Sequence, residues 1–141
     1  MKIDNARAYI RLYEELSLER IDELESFVDV SVRFKDPFND IVGRTKLRKL
    51  LKRVLSSVSN PVFRVTSQSW VGDVLYLRWS FNGHVKGLGK WTVEGMSEVI
   101  FNEQGMVIEH IDYWDSGEQF YEKIPIIGGL LRIIKNRLKV L

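Results

Sequence analysis

This sequence predicts an α+β fold, and three observations carry that reading. Apolar residues recur at three- and four-residue spacing through the first 28 positions and again from Leu47 to Val58, which is the period of helices with one buried side. From Val62 to about residue 115 the chain is rich in Val, Ile, Tyr, Phe and Trp and is punctuated by Gly and Asn, as consecutive strands are. One short alternating run, Val30 to Phe34, lies between the two helical regions. The order is therefore helix, helix, strand, helix and four strands, with the helices packed on one side of an antiparallel meander.

Element by element, Asp4 is the expected cap of a first helix that buries Ala6, Tyr9, Ile10, Tyr13 and Leu16. Ser17 caps a second, with Leu18, Ile21, Leu24, Phe27 and Val28 on its apolar side. In the short strand Val30, Val32 and Phe34 alternate with Ser31 and Arg33, and Asp36-Pro37-Phe38-Asn39-Asp40 ends it. Pro37 pushes Asp36 toward an extended conformation, which places Asp36 at the strand's end or in the turn. The third helix carries Leu47, Leu50, Leu51, Val54, Leu55 and Val58 inside and Lys46, Arg48, Lys49, Lys52 and Arg53 outside. That basic face reads as solvated charge, and Asn60-Pro61 is the expected break.

Four strands follow. Val62–Val71 turns at Gly72-Asp73, and Val74 runs to about Lys86. Gly87-Leu88-Gly89-Lys90 is the next turn, with Asn82-Gly83 as a rival tip. Trp91–Phe101 is interrupted by Gly95, which suggests a bulge. On the second of these strands Tyr76, Arg78 and Ser80 share one face, and Leu77, Trp79 and Phe81 the other. The apolar face is expected under helices or across a dimer, and Arg78 is expected to look inward and pair with Asp112.

The last strand lies between Gly105 and Gly117. Alternation puts Val107, Glu109, Ile111 and Tyr113 on one face and Ile108, His110, Asp112 and Trp114 on the other. An imidazole, a carboxylate and an indole then stand in a row, about 7 Å apart at each step. By period alone this is equally the wet side of a half-exposed strand or the wall of a pocket carrying an acid–base pair.

Composition bounds the chemistry. The 141 residues are 45% hydrophobic with no Cys and two His, at positions 84 and 110. Thiolate chemistry is excluded, and no metal-ligand spacing or nucleotide or flavin motif is present, so no cofactor and no metal are expected. The net charge of +2 is uneven: residues 130–141 carry four basic residues and no acid, leaving 17 basic against 19 acidic in the rest. A slightly acidic body speaks against a nucleic-acid partner. With no signal-like or membrane-spanning apolar run in the sequence, a cytoplasmic protein is expected.

Three local features, Phe34-Lys35-Asp36-Pro37-Phe38 ahead of Gly43-Arg44, Phe101-Asn102-Glu103-Gln104-Gly105, and His110-Ile111-Asp112-Tyr113-Trp114-Asp115, make the chain resemble the nuclear transport factor 2-like superfamily, within it the SnoaL-like and ketosteroid isomerase-like families. The resemblance implies a cone-shaped, cystatin-like fold with a curved antiparallel sheet wrapped around helices. It also implies a pocket for a small hydrophobic molecule, and acid–base catalysis of the isomerase, cyclase or hydrolase kind on a carbonyl compound. A non-catalytic binding module on the same scaffold is the alternative. Asp36 falls where such enzymes hold the general base, and Tyr9 where an oxyanion donor stands. Ser97 stands where the family's second donor, a protonated Asp, would be, and so departs from it. His110, Asp112 and Trp114 are expected to face the pocket. Resembling families dimerise through the sheet, and Leu77, Trp79, Phe81 and Trp91 are read as an apolar outer face for a homodimer.

Residues 118–141 read as a C-terminal helical extension of this single domain. Pro125 and Gly128-Gly129 are expected to break it, with a helix beyond bearing Leu130, Ile133, Ile134, Leu138 and Leu141 between four cations. Docking of that stripe over the cavity mouth or sheet edge is expected, and peripheral contact with an anionic membrane is the alternative.

Overall fold

The computed structural model describes residues 1–140. Helix α1 (Lys2–Glu14) and the short α2 (Leu18–Ile21) lead through a 3₁₀ turn at Asp22–Ser26 into strand β1 (Val28–Lys35). A short β2 (Asp40–Val42) and helix α3 (Arg44–Ser57) follow. Then come four strands, β3 (Val58–Val71), β4 (Val74–Val85), β5 (Gly89–Phe101) and β6 (Val107–Tyr113). One six-stranded sheet results, in the order β2-β1-β6-β5-β4-β3. All its pairings are antiparallel except β1 with β6. The α+β expectation, a sheet wrapped over helices on one face, holds.

The core sits between that sheet and the helices. Ala6, Tyr9 and Leu12 enter it from α1, Leu47 and Leu51 from α3, and Leu75, Leu77, Trp79, Val93 and Val99 from the sheet. Alternation correctly separated the two faces of β4: the apolar one packs under the helices, as one of its two expected places, and the polar one does not look into the cavity. Leu77 and Trp79 are buried, Phe81 and Trp91 pack against the same core, and Arg78 is exposed on the opposite face. Arg78 therefore neither enters the cavity nor pairs with Asp112. The side chains read as a dimer face are spent inside the monomer.

Smaller departures have local causes. Helix α1 begins at Lys2, so Asp4 lies in its first turn rather than capping it. The second helical stretch ends early, because Val28 already pairs with Val107 in the sheet. Val30, read on one strand face with Val32 and Phe34, is 67% exposed while they are buried, and the pairing of β1 with β6 shifts register between Val28 and Arg33. Helix α3 ends at Ser57, and Asn60-Pro61 falls within β3 at a register shift between Ser59 and Val62. Asn82-Gly83 is mid-strand, paired with Trp91 and Thr92, and the hairpin tip lies at 86–88; the glycine there leaves room for Val58, with which a side chain at 83 would collide. Gly95 marks no bulge. It pairs regularly with Trp79, and its missing Cβ makes room for that indole, whose ring atoms would lie 2.6 and 2.8 Å from it.

Past β6, Asp115 caps the short helix α4 (Ser116–Gln119). The Gln119 side chain bonds both the N–H and the C=O of Glu94 on β5, and Trp91 donates to the Gln119 carbonyl. A 3₁₀ turn (Tyr121–Lys123) then leads into helix α5 (Ile127–Leu138). The paired glycines, expected to break the chain, lie in the first turn of α5. Gly128 sits directly against the Glu122 backbone, where any Cβ would overlap the carbonyl. Polar contacts hold α5 back: Arg132 donates to the Glu122 carbonyl, and Lys135 meets Glu118 and Glu122. Its apolar stripe is not docked, with Leu130 60% and Leu138 80% exposed. Leu141, the last member of the expected stripe, lies outside the described residues. Among the described residues no helix is long and apolar enough to cross a membrane.

Candidate functional site

Between the sheet and helix α3 lies a cavity of about 520 Å³, within the range that holds a drug-sized molecule. Most of its wall is apolar or aromatic, with Phe63, Trp79, Phe81 and Trp91 from the sheet and Leu50 and Val54 from α3. Polar groups converge at one part of it: Asp36, His110 and Asp112, joined by the Tyr13 hydroxyl. The indole of Trp114 closes the wall there and meets Phe38 and Trp91 edge-on.

The register of the sheet builds the polar wall. His110 lies opposite Phe34 and Val99, and Asp112 lies opposite Ser97. Because β6 alternates, His110 and Asp112 both project inward while Tyr113 is exposed. His110 is 4% exposed, and both ring nitrogens are satisfied. Its Nδ1 lies 2.6 Å from the Tyr9 hydroxyl and its Nε2 lies 2.5 Å from Asp112 Oδ1. The same carboxylate oxygen accepts from the Ser97 hydroxyl, which in turn accepts from Trp79 Nε1 at 2.8 Å. On the other side the Tyr9 and Tyr13 hydroxyls are 3.0 Å apart. An unbroken chain of hydrogen bonds thus runs Trp79–Ser97–Asp112–His110–Tyr9–Tyr13, and no fully buried side-chain nitrogen or oxygen among the described residues lacks a partner.

Donor inventory fixes the direction of this chain. An indole N–H only donates, so Ser97 accepts from Trp79 and gives its own proton to the Asp112 carboxylate. Asp112 Oδ1 can then only accept from His110, which puts a proton on Nε2. A neutral imidazole receives the Tyr9 proton at Nδ1, and Tyr9 receives that of Tyr13. An imidazolium reverses both hydroxyls and turns the Tyr13 proton toward the cavity. Burial is the main influence raising the pKa of both Tyr9 and Tyr13 above the ordinary phenol value. For Tyr9 the hydrogen bond from Tyr13 opposes that rise. Both remain protonated donors near neutrality.

Asp36 sits where β1 ends. Its Oδ1 accepts from the backbone N–H of Phe38 at 2.8 Å and of Asn39 at 2.7 Å, and from the Asn39 side chain at 3.1 Å. This is an Asx turn, which follows from an Asp before a Pro in a tight reversal. Oδ2 has the Asn39 amide alone, at 3.3 Å. The turn therefore orients the carboxylate and leaves one oxygen weakly engaged.

Of the residues read from the sequence, Asp36, His110, Asp112 and Trp114 come together on one cavity. Tyr9 is 1% exposed and stands behind Tyr13, which takes the cavity-facing position. Ser97 is buried behind Asp112 and touches it rather than the cavity. Arg78 is on the far side of the sheet. Tyr13 was missed as a site residue because Tyr9 and Tyr13 share one helix face, and spacing does not say which lies nearer the cavity. Among the described residues no three His, Asp or Glu side chains come together so as to hold a metal ion.

The profile of the SnoaL-like domain family matches residues 7–110. No curated protein matches the chain in sequence. Three solved structures share the fold at low identity. A protein with a ketosteroid isomerase-like fold from Catenulispora acidiphila, in complex with trimethylamine, is 14% identical at a TM-score of 0.69, over 82% of this chain and 88% of that one. An NTF2-like protein of unknown function from Exiguobacterium is 17% identical at 0.68, over 79% and 98%. An LEH-like epoxide hydrolase from M. tuberculosis is 15% identical at 0.69, over 99% and 94%.

Proposed function

We infer that this chain, which belongs to the SnoaL-like domain family through the match over residues 7–110, is an enzyme that moves protons on a small hydrophobic, carbonyl-bearing molecule. The reaction is of the isomerase, cyclase or hydrolase kind. The observation that carries this reading is the buried chain from Asp112 through His110 and Tyr9 to Tyr13, ending at the wall of a cavity whose interior is mostly apolar and aromatic. A buried polar network of this length in a site meant only to hold hydrocarbon would be an unneeded liability.

In the mechanism, Asp36 Oδ2 takes a proton from carbon, its carboxylate oriented by the 36–39 turn. The substrate oxygen, gaining negative charge, lies against Tyr13 and receives its proton or a strong hydrogen bond. From the imidazolium form, whose Nδ1–H faces Tyr9, Tyr9 then passes its proton to Tyr13 and His110 Nδ1 replenishes Tyr9, leaving a neutral ring protonated at Nε2. Asp112, steadied by Ser97, orients the ring through Nε2 and stabilises the charged form from which the relay starts. Asp36, Tyr13, His110 and Asp112 are thus the working groups, Tyr9 the link, and Ser97 a positioning residue.

A second reading, a binding module without turnover, draws on one observation: His110 and Asp112 satisfy one another, as a purely structural pair would. Exchange of α-protons for deuterium, followed by NMR across a panel of hydrophobic ketones, separates the two. The enzyme reading expects acceleration that Asp36→Asn and Tyr13→Phe each reduce at least about tenfold, the low end of what one general acid or base contributes. Ketones that bind without any acceleration of exchange would make the protein a binder.

A further inference from the structure

Helix α3 contains six cations, Arg44, Lys46, Arg48, Lys49, Lys52 and Arg53, and no acid. Two of them are accounted for. Arg44 donates to the Val28 carbonyl, and Arg48 lies across Asp22 and Glu25. Lys46, Lys49 and Arg53 are different. All three are exposed and all three line the cavity. Their spacing of three and four residues puts them on one helix face, about 10 Å from first to last. None has a carboxylate within ion-pair distance among the described residues. Lys46 moreover sits in the first turn of the helix, where the macrodipole disfavours a cation.

The same face continues inward as Leu50 and Val54, and the wall opposite is aromatic. The cavity thus has a positive rim on an apolar interior. Neither cavity carboxylate forms an ion pair with that rim: Asp36 is held by the Phe38 and Asn39 N–H groups and the Asn39 side chain, and Asp112 by His110 and Ser97.

We propose that the ligand of this cavity is an amphiphile with an anionic head group, its hydrocarbon body among Phe63, Trp79, Phe81 and Trp91 and its head held by Lys46, Lys49 and Arg53. This rests on the cavity being the binding site and names the class of molecule it takes. A neutral ligand of the same body would leave three unpaired cations at the mouth and gain nothing from them. An anion gains charge-assisted contacts there, strongest at low salt.

Competition against N-phenyl-naphthylamine, a neutral dye that brightens in apolar cavities, tests this with decanoate, decyl phosphate and decanol. At low salt at least one anion is expected to displace the dye about tenfold more tightly than decanol, equivalent to one good charged contact. That preference is expected to shrink with added salt and to vanish in the combined variant Lys46→Gln, Lys49→Gln, Arg53→Gln, while decanol binds as before. Whichever anion is tighter identifies the head group as carboxylate or phosphate. Equal binding of all three compounds, or a preference that survives in the combined variant, overturns the proposal while leaving the cavity as a binding site. If neither the dye nor any of the compounds enters, the cavity reading falls, and the proposal with it. Far-UV circular dichroism on the variant confirms that a lost preference is not a lost fold, and Lys49→Arg, which keeps the charge, should retain the preference.

Discussion

Tyr9 and His110 stand 101 residues apart and lie 2.6 Å from one another, the hydroxyl of the first helix against Nδ1 of the last strand. That bond ties α1 to β6 across the core, and it determines what His110 can do, because the partner at Nδ1 decides which proton the ring can give or take. Removing it should separate stability from chemistry. Tyr9→Phe leaves a buried imidazole nitrogen without a partner, at about 1–3 kcal/mol, and should lower the urea midpoint accordingly. Tyr13→Phe keeps the His110 contact and touches only the cavity end. Its stability loss should be the smaller of the two, while any catalysed exchange falls further. The reverse ranking would remove the relay.

Alkaline stability follows from the same tyrosines. Burial raises the pKa of both above the unfolded value of 10.0, so the folded state holds protons that the unfolded state gives up. Their stabilisation is complete below that unfolded value and is lost as pH rises above it, at up to about 1.4 kcal/mol per pH unit for each group. Unfolding midpoints measured from neutral pH to strongly alkaline pH should stay level and then fall. In Tyr9→Phe the fall should be shallower. Equal slopes would mean that Tyr9 titrates as a free phenol.

Gly95 faces Trp79 so closely that no side chain fits without moving the indole. Gly95→Ala should therefore destabilise by about 1–3 kcal/mol through overpacking. It should also break the Trp79–Ser97 bond, which shows as a shifted indole N–H resonance and weaker dye binding in the cavity. An unchanged indole resonance would place the strain elsewhere.

How far the site could be read ahead of the structure depended on the kind of pattern involved. His110, Asp112 and Trp114 were legible together because a strand has a period of two and all three fall on one parity. Parity names two faces and does not say which is inside. On β4 both faces carry bulky residues, Tyr76 and Arg78 against Leu77 and Trp79, and parity leaves open which of them borders the cavity. β2 is three residues long and carries no period, so it read as loop. The rim on α3 was read as plain solvated charge, since a helix wheel shows a polar face but not the cavity that half of it borders. Asp36 was visible from its Pro. Its capture in an Asx turn depends on Asn39 and the backbone N–H groups around it, which only the folded turn brings together.

Helix α5 is seated at its first turn by a close approach of two backbones. Gly128 lies on Glu122, and immediately before the helix Ile126 is held at φ 73 and ψ −62. The Ile127 N–H bonds the Pro125 carbonyl at 2.9 Å, which closes a tight γ-turn. A β-branched residue at positive φ is strained by about 1–3 kcal/mol, so the junction stores energy that the contacts beyond it must offset. Those contacts are Arg132 to the Glu122 carbonyl and Lys135 to the Glu118 and Glu122 carboxylates; Arg132, Lys135 and Glu118 are exposed, and ion pairs with exposed members are weak. A twelve-residue helix is marginal without support. Gly128→Ala should therefore release α5 as a unit: amides of 127–138 exchange quickly and the segment becomes open to protease, while exchange in β4 and β5 stays slow. Ile126→Gly relieves the turn and should leave α5 at least as protected as before. Protection of α5 that survives Gly128→Ala would mean that the helix is held by its apolar stripe and not by its first turn.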